Sequence, residues 1–280
     1  AATLTPAKVI EVKGKDGTLS RVSAVYQAPP RESFILALKD IPEVWEVFTG
    51  DNPPYQGFVH DTRVEGAPDI KVDFPVRKIR LDEGVDDFFF DLSYEHLIGA
   101  NREGTKGQVI DLVIGQKVAE LDLPGMPHLG SGITWDWNGT TVLATPHLKE
   151  GVISIIDMKT WKTVKTLQTE GPGFFMRSHV NSRYAWADVF FGPNKDVMHI
   201  IDKETLEIVK TLRPAPGKTV AHTEFTKDGS HALVSIWEDD GAVIVYDATT
   251  FEEIKRLPMK KPSGKYNVWN KITFSEGTSH

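Results

Sequence analysis

The sequence predicts an all-β fold in which four-stranded blades form a β-propeller. One support is a repeat of about 45 residues that occurs four times along the 280-residue chain. The other is the alternation of apolar and polar residues within each repeat, which is typical of strands. Helical repeats of similar length would instead show a 3.6-residue period. A repeat of this length has room for four antiparallel strands, which is the content of one propeller blade.

Each repeat contains an apolar strand that ends in aspartate, a polar turn and a second strand that ends in leucine. The four copies read QVIDLVIGQKVAEL, SIIDMKTWKTVKTL, HIIDKETLEIVKTL and IVYDATTFEEIKRL, with their aspartates at Asp111, Asp157, Asp202 and Asp247. Such an aspartate favours a turn because its carboxylate accepts hydrogen bonds from nearby backbone N–H groups. The charged second strand suits the outer edge of a blade.

A second pair of strands lies between these hairpins. Its clearest copy is HTEFTKDGSHALVSIW at 222–237. RVSAVYQ, SFILALKD and VWEVFTG predict three strands of an earlier, less regular blade, followed by a longer stretch over 51–82. We therefore expect four complete blades and part of a fifth, in a chain that begins within a blade. This pattern predicts one N-terminally truncated domain over 1–280, with 258–280 as a C-terminal tail that closes a larger ring.

Composition excludes several kinds of site. The formal net charge of −7 disfavours a nucleic-acid partner, because proteins that bind nucleic acids usually carry a basic surface. No run of 18 apolar residues is present, so we expect no membrane span. The absence of cysteine excludes thiolate metal sites and covalent attachment of haem c within these residues. No nucleophile-elbow, P-loop, dinucleotide-binding or HExxH motif is present.

Three of the nine histidines occupy similar places in successive repeats. His128, His179 and His222 follow their repeat aspartates by 17, 22 and 20 residues, where an outer strand returns to the next innermost strand. Innermost strands line the channel of a propeller, so we expect these histidines to converge at one mouth of it. The loop between the second and third strands opens on the same face and carries His147 in one blade and Trp237 in another.

Imidazoles surrounded by aromatic rings suit a planar ligand that contains a metal. Imidazole nitrogen binds iron axially, and aromatic faces stack on a macrocycle. Arg102 and Arg177 are expected near the same face, where they could pair with ligand carboxylates. Taken singly, each histidine would more simply cap a strand, and the pair Asp86-Asp87 would lie in a solvated turn. The repetition favours a cofactor site on the axis, and a non-catalytic binding platform is the alternative.

At these residues the sequence resembles the haem d1 domain of cytochrome cd1 nitrite reductase and its relatives. The segments PGMPHLGSGITW, TVLATPHLKEGVISIID, FFMRSHVNSRYAWAD and GKYNVWN carry the resemblance, which covers nearly the whole chain and is strongest after about residue 86. It implies an eight-bladed propeller with haem d1 on its axis. It also implies a periplasmic location and a role in denitrification.

The ending SEGTSH and the presence of His222 resemble more closely a biosynthetic branch of this family, the dihydro-haem d1 dehydrogenases. That branch introduces the acrylate double bond in the last step of haem d1 synthesis. The resemblance implies that His128, His222 and Tyr266 act at the macrocycle, with His128 or His222 as the iron ligand. Tyr266 would serve as hydrogen-bond partner or proton relay near the propionate. Electrons would leave to a c-type haem in an upstream domain or a partner cytochrome.

Two alternatives remain within the family. In the nitrite reductase interpretation, haem d1 is a resident cofactor, and His147 and His179 stabilise nitrite and donate protons. A related propeller without a cytochrome c module acts earlier in haem d1 synthesis and is the other candidate. In each case the expected ligand is haem d1 or its dihydro precursor.

Overall fold

The computed structural model describes residues 5–51, 73–101 and 106–263. Within these ranges, twenty strands form five four-stranded sheets, and every strand pairs antiparallel with its neighbours along the chain. The only described helical segments are two three-residue 3₁₀ turns at Pro29–Arg31 and Leu129–Ser131. No described helix has the length and apolar character needed to cross a membrane. The predicted all-β architecture of four-stranded blades is confirmed.

The blades follow one another in sequence order. The first two consist of β1 (Val22–Ala28), β2 (Ser33–Leu38), β3 (Glu43–Phe48), β4 (Val76–Arg80), β5 (Asp87–Phe90), β6 (His96–Ala100), β7 (Lys106–Asp111) and β8 (Gln116–Asp122). The third and fourth consist of β9 (Ile133–Trp137), β10 (Thr140–Pro146), β11 (Val152–Asp157), β12 (Lys162–Gln168), β13 (Met176–Arg177), β14 (Tyr184–Asp188), β15 (Met198–Asp202) and β16 (Glu207–Leu212). The fifth consists of β17 (Val220–Phe225), β18 (His231–Ile236), β19 (Ala242–Asp247) and β20 (Glu253–Pro258).

The first blade differs from its expected form. It has four strands rather than three, because β4 pairs with β3 from beyond the long stretch that separates them in sequence. The expectation of an incomplete first blade is therefore wrong. The ring of eight blades stays a prediction.

The repeat aspartates make the turns that the sequence predicts. In all four, Oδ1 accepts hydrogen bonds from the backbone N–H groups two and three residues further on, at 2.7–3.3 Å. Each aspartate ends the third strand of its blade and starts the turn into the outermost strand. The fourfold pattern in the sequence is thus a repeated backbone-capping interaction.

Apolar clusters fill the space between consecutive blades. One cluster joins the third and fourth blades through Trp135, Ile155 and Ile201, and another joins the fourth and fifth through Trp186 and Val234. Equivalent clusters join the first to the second blade and the second to the third. The second, third and fourth blades therefore each pack against a neighbour on both sides, as propeller blades do.

A buried charged cluster supplements the apolar contacts between the first and second blades. The guanidinium of Arg31 donates to both carboxylate oxygens of Glu46, at 2.7 and 3.1 Å. Arg77 lies 3.7 Å from the same carboxylate and donates to the carbonyl of Leu112 at 2.5 Å. It also donates to the carbonyl of Val113 at 3.2 Å. These carbonyls belong to the second blade, so the cluster ties the two blades together.

The two ends of each blade carry different connections. We call one end the entry face, which carries the segments from one blade to the next and the loops from each second strand to its third strand. We call the other end the turn face, which carries the first-to-second and third-to-fourth connections. The innermost strands are β1, β5, β9, β13 and β17.

Candidate functional site

His128 lies on the entry face, between β8 and the 3₁₀ turn that leads into β9. Its ring stacks on Phe174, with 4.4 Å between centroids and 11° between planes, and its side chain is 19% exposed. Its Nδ1 lies 2.5 Å from the carbonyl oxygen of Phe174. Because a carbonyl oxygen can only accept, Nδ1 carries the hydrogen and the lone pair of the neutral ring is on Nε2.

Asp87 faces that lone pair from the second blade. Its Oδ2 lies 4.0 Å from Nε2 of His128 and accepts a hydrogen bond from the N–H of Gly130 at 2.7 Å. Burial raises the pKa of Asp87, and the charge of His128 acts in the opposite direction. The expectation of a solvated acidic turn is therefore wrong for Asp87. The available signal was its place at the start of an innermost strand, immediately before three phenylalanines.

A cleft of about 400 Å³ opens beside His128 and Asp87. It extends from β1 and the start of β5 to the segments that lead into the third and fourth blades. Its other lining residues include Ser23, Tyr26, Asp86, Asn101, Met126 and Leu148. The imidazole and the carboxylate thus border a space that a ligand substituent can enter.

His222 lies in β17, the innermost strand of the fifth blade. The β17–β18 pairing shifts between Ala221 and Glu224, and His222 has φ +51°, in the left-handed region. A bulge of this kind redirects a side chain out of the regular alternation of a strand. The ring of His222 packs edge-on against Phe175, with 4.6 Å between centroids.

An aromatic cluster connects the two histidines. We define it as Phe174, Phe175, Phe190, Phe191 and Trp237. Centroid distances are 4.3 Å from Phe174 to Phe175, 5.2 Å from Phe174 to Phe190 and 5.5 Å from Phe190 to Trp237. Trp237 is 42% exposed on the entry face, where the sequence placed it. Phe174 and Phe175 were not singled out, although an aromatic pair beside two glycines in a blade-to-blade segment is a usable signal.

His147 is also at the entry face, but its ring lies beneath the surface. Its Nδ1 donates to the carbonyl oxygen of Pro124, and its Nε2 accepts from the hydroxyl of Ser154 at 3.0 Å. Burial lowers the pKa of His147. Both ring nitrogens are therefore engaged within the protein, in an arrangement that secures the loop after β10.

His179 lies on the turn face. Its Nε2 donates to the carbonyl oxygen of Lys227 at 3.1 Å, and its Nδ1 accepts from the N–H of Asn181 at 3.0 Å. Burial lowers the pKa of His179. The prediction that His179 converges with His128 and His222 is wrong. The reason is that β13 has only two residues and ends before His179, which therefore follows its innermost strand instead of preceding it.

The predicted arginine and tyrosine positions have different outcomes. Arg177 lies buried in β13, with Nε 3.5 Å from Oε2 of Glu224 in β17, so its guanidinium already faces a carboxylate across two innermost strands. Arg102 and Tyr266 lie outside the described residues. Over 5–51, 73–101 and 106–263, no three His, Asp or Glu side chains are grouped as a metal-ion site.

Two imidazoles therefore pack against one aromatic cluster near the entry face, with the His128 side chain 19% exposed and His222 buried at 4%. His128 offers a lone pair on Nε2, and the aromatic rings offer apolar faces and edges to a flat conjugated molecule. A single imidazole nitrogen is also a common axial ligand of haem iron. The residues present fit a planar ligand that contains iron.

Comparison with known proteins agrees with this chemistry. Residues 1–271 match the family described as "Cytochrome D1 heme domain". The chain is 50% identical over 280 residues to "Dihydro-heme d1 dehydrogenase" of Pseudomonas aeruginosa. The aligned region is 100% of this chain and 53% of that protein. It is 31% identical over 166 residues to "Protein NirF" of the same organism, covering 59% of this chain and 38% of that protein.

Solved structures show the same relationship. "Dihydro-heme d1 dehydrogenase NirN in complex with DHE" has a TM-score of 0.86 at 49% identity, over 96% of this chain and 54% of that one. "Kuenenia stuttgartiensis Hydrazine Synthase" shares the fold alone, with a TM-score of 0.51 at 13% identity over 73% of this chain and 53% of that one. The chain spans about half the length of the dehydrogenase that it matches. Because the family match covers almost all of its residues, the chain belongs to the cytochrome d1 haem domain family.

Proposed function

We propose that this chain is the propeller of an enzyme that oxidises the dihydro precursor of haem d1 in the last step of haem d1 synthesis. The observation that carries the proposal is that His128 packs on Phe174 and His222 packs on Phe175, so that one aromatic cluster holds both imidazoles. The 50% identity to a dihydro-heme d1 dehydrogenase over the full chain supports the choice of substrate. The tetrapyrrole is thus the substrate of the reaction.

The reaction converts a propionate side chain into an acrylate. Two C–H bonds break and one C=C bond forms, so two protons and two electrons leave the substrate. The bound tetrapyrrole supplies the propionate and the conjugated ring that it extends. The first proton goes to a base of the protein and the second leaves through a proton relay, while the two electrons pass one at a time to a one-electron haem acceptor.

We assign the proton acceptor to His128. Its Nε2 carries the lone pair because Nδ1–H is held by the carbonyl of Phe174. The carboxylate of Asp87, 4.0 Å from Nε2, favours the protonated imidazole that results. Position and tautomer thus suit a general base.

We assign iron ligation to His222. Its strand is anchored in the fifth blade, and the bulge turns the residue out of the regular strand geometry. Its ring lies against Phe175, and His128 packs against the same ring at 6.1 Å and against Phe174 at 4.4 Å. The two imidazoles thus lie on either side of Phe175, which suits a division of roles in which one binds iron and the other accepts a proton. In the same proposal Trp237, the exposed end of the aromatic cluster, packs against the macrocycle.

Tyr266 completes the proposed site. The hydroxyl of Ser235 donates to the carbonyl of Ser263 at 3.4 Å. In the sheet, Ser235 of β18 is the cross-strand partner of Ala221, the residue before His222 in β17. Three further residues span at most about 10 Å. That reach supports Tyr266 as a hydrogen-bond partner or proton relay near the propionate.

The remaining expectations are also proposals. Electrons pass to a c-type haem in an upstream domain or a partner cytochrome, since this chain has no cysteine for haem attachment. Arg102 and Arg177 bind ligand carboxylates, with Arg177 shared between the ligand and Glu224. The resemblance supports a periplasmic location, which cell fractionation tests.

The first experiment is a titration of the chain with dihydro-haem d1, followed by visible spectroscopy. We expect a shift of the Soret band that His222→Ala abolishes. His231→Ala is the matched control, because His231 lies at the turn-face end of β18 and should leave the shift intact. A folded wild-type chain that gives no shift would refute the proposal.

The second experiment identifies the product. With an oxidised c-type cytochrome and the full-length enzyme, mass spectrometry should show a tetrapyrrole that has lost two hydrogen atoms. Formation of nitric oxide from nitrite would instead identify a reductase. The structure does not favour that alternative, because His147 and His179 lie at opposite ends of the blades and their ring nitrogens are bonded within the protein.

A further inference from the structure

We propose that Asp188 is a positioning residue that orients both His128 and His222 through the dipeptide Phe174-Phe175. The inference rests on the proposed function, since it concerns how the two imidazoles are held for the tetrapyrrole. It goes beyond that function by assigning the arrangement of two distant histidines to one carboxylate.

Asp188 is the last residue of β14 and is 2% exposed. Its Oδ1 accepts hydrogen bonds from the N–H groups of Phe174 and Phe175, at 2.8 and 2.9 Å. Its own N–H donates to the carbonyl of Phe175 at 3.1 Å. Its Oδ2 accepts a hydrogen bond from the N–H of His222 at 3.3 Å. The carboxylate is therefore shared between the aromatic dipeptide and the bulge of β17.

One peptide plane connects Asp188 to His128. The N–H of Phe175 and the carbonyl of Phe174 belong to the same planar, trans peptide group, and point in opposite directions. The N–H side is held by Asp188, and the carbonyl side accepts from Nδ1 of His128. Rotation of this plane away from Asp188 would therefore remove the acceptor that fixes the tautomer of His128.

A second route connects Asp188 to His222. In the bulge, His222 and Thr223 together face a single residue of β18, so the regular strand ladder is interrupted there. The hydrogen bond to Asp188 satisfies the N–H of His222 at that interruption and supports its left-handed backbone conformation. The Phe175 ring, fixed by the same carboxylate, packs against the His222 ring.

An asparagine at position 188 can maintain the hydrogen bonds of one route but not of both. Its single carbonyl oxygen can accept from the dipeptide or from His222, while its NH₂ group can only donate. With the oxygen toward Phe174 and Phe175, the NH₂ group meets the N–H of His222. With the amide reversed, the NH₂ group meets two donors. Asp188→Asn thus keeps size and loses one side of the arrangement in either orientation.

The test compares Asp188→Asn with Asp196→Asn. Asp196 is also buried, lies in the loop that follows β14 and accepts from the N–H of Gly217 at 2.8 Å, but contacts neither histidine. Nitrogen-15 NMR of the ligand-free chain should show His128 as a single Nδ1–H tautomer in wild type and in Asp196→Asn. In Asp188→Asn, the ring-nitrogen signals of at least one of the two histidines should shift, His222 if the amide oxygen stays on the dipeptide and His128 if it faces His222. Titration with haem d1 should show affinity reduced by about tenfold or more in Asp188→Asn alone.

The outcomes are distinct. If Asp188→Asn lowers the melting temperature as Asp196→Asn does, yet leaves the histidine signals and haem d1 affinity at wild-type values, Asp188 is only structural and the inference is overturned. If wild type binds no haem d1 while Asp188→Asn still shifts either histidine, the positioning stands and the proposed function fails. Should Asp188→Asn not fold, Asp188→Glu retains the charge and displaces it by one methylene. Unshifted histidine signals in that variant overturn the inference as well.

Discussion

Nε2 of His128 lies 4.0 Å from Oδ2 of Asp87, across the boundary between the second and third blades. We predict that Asp87→Asn lowers turnover of dihydro-haem d1, because the protonated imidazole loses a neighbouring carboxylate. His128→Gln removes the base itself and should cost about 100-fold or more. Binding, measured by the Soret titration, should stay close to wild type in both. Equal losses in the two variants, or none in Asp87→Asn, would contradict the assignment.

The left-handed conformation of His222 predicts an unusual order of stability. At φ +51°, a residue with a Cβ is strained, whereas glycine adopts this conformation readily. His222→Gly should therefore be more stable than His222→Ala by about 1 kcal/mol, measured by chemical denaturation. Both variants should lack the Soret shift, since neither has an imidazole. An alanine variant as stable as the glycine variant would show that the strain is absent in solution.

Glu46 is predicted to be essential for stability. Glu46→Gln leaves the guanidinium groups of Arg31 and Arg77 buried without their carboxylate, which should cost about 3–5 kcal/mol in urea denaturation. Glu120→Gln is the control. Its carboxylate is 44% exposed and pairs with Lys106, so its loss should cost about 1 kcal/mol or less. Similar losses in the two variants would refute the contribution of the buried cluster.

Buried histidines predict how stability depends on pH. Burial lowers the pKa of His147, His179 and His199 below the ordinary value of 6.5. Below about pH 6.5 the unfolded chain protonates these rings more readily than the folded protein does, so unfolding takes up protons. The contribution of these rings to the free energy of unfolding should therefore be constant above pH 6.5. It should fall as the pH drops from 6.5 toward the lowered pKa values of the folded state. His147→Gln should flatten the fall, and an unchanged slope would contradict the burial effect.

Two glycines test the location of His179. Gly229 has φ +75°, and a Cβ there would lie 2.3 Å from Nδ1 of His179. Gly217 has φ +78°, but a Cβ there would meet nothing within 4 Å. Both alanine substitutions should cost about 1–2 kcal/mol through backbone strain. Gly229→Ala should cost about 1–3 kcal/mol more because the ring must move. Equal melting temperatures would place His179 elsewhere.

The sequence predicted the parts of the fold that depend on local interactions. The repeat aspartates act on backbone two and three residues away, so their spacing alone located the hairpins. The fourth strand of the first blade was not predicted, because it pairs with β3, more than twenty residues earlier in sequence. Pairing across such a distance leaves little local signal.

The same distinction explains the site. His128 and His222 were identified from their position in the repeat, and the structure brings both to the aromatic cluster. His179 was misplaced because the repeat does not reveal that β13 is only two residues long. Asp188 was not identified, since its partners Phe175 and His222 lie 13 and 34 residues away. Sequence patterns of this kind report periodicity, whereas the hydrogen bonds that the Asp188 carboxylate accepts from distant residues form only in the folded protein.

The charged cluster of Arg31, Glu46 and Arg77 also bears on how similar blades find their correct neighbours during folding. Apolar faces that share one repeat pattern can pack against one another in more than one order. The guanidinium groups at this boundary donate to the carbonyls of Leu112 and Val113. The fourth blade presents the equivalent carbonyls of Lys203 and Glu204, but there the donors are the indole N–H groups of Trp135 and Trp137. A buried guanidinium without an acceptor costs far more than a buried indole N–H, because it also carries a charge. The donor side therefore distinguishes the first blade from the third, although both use the same acceptor position of the repeat.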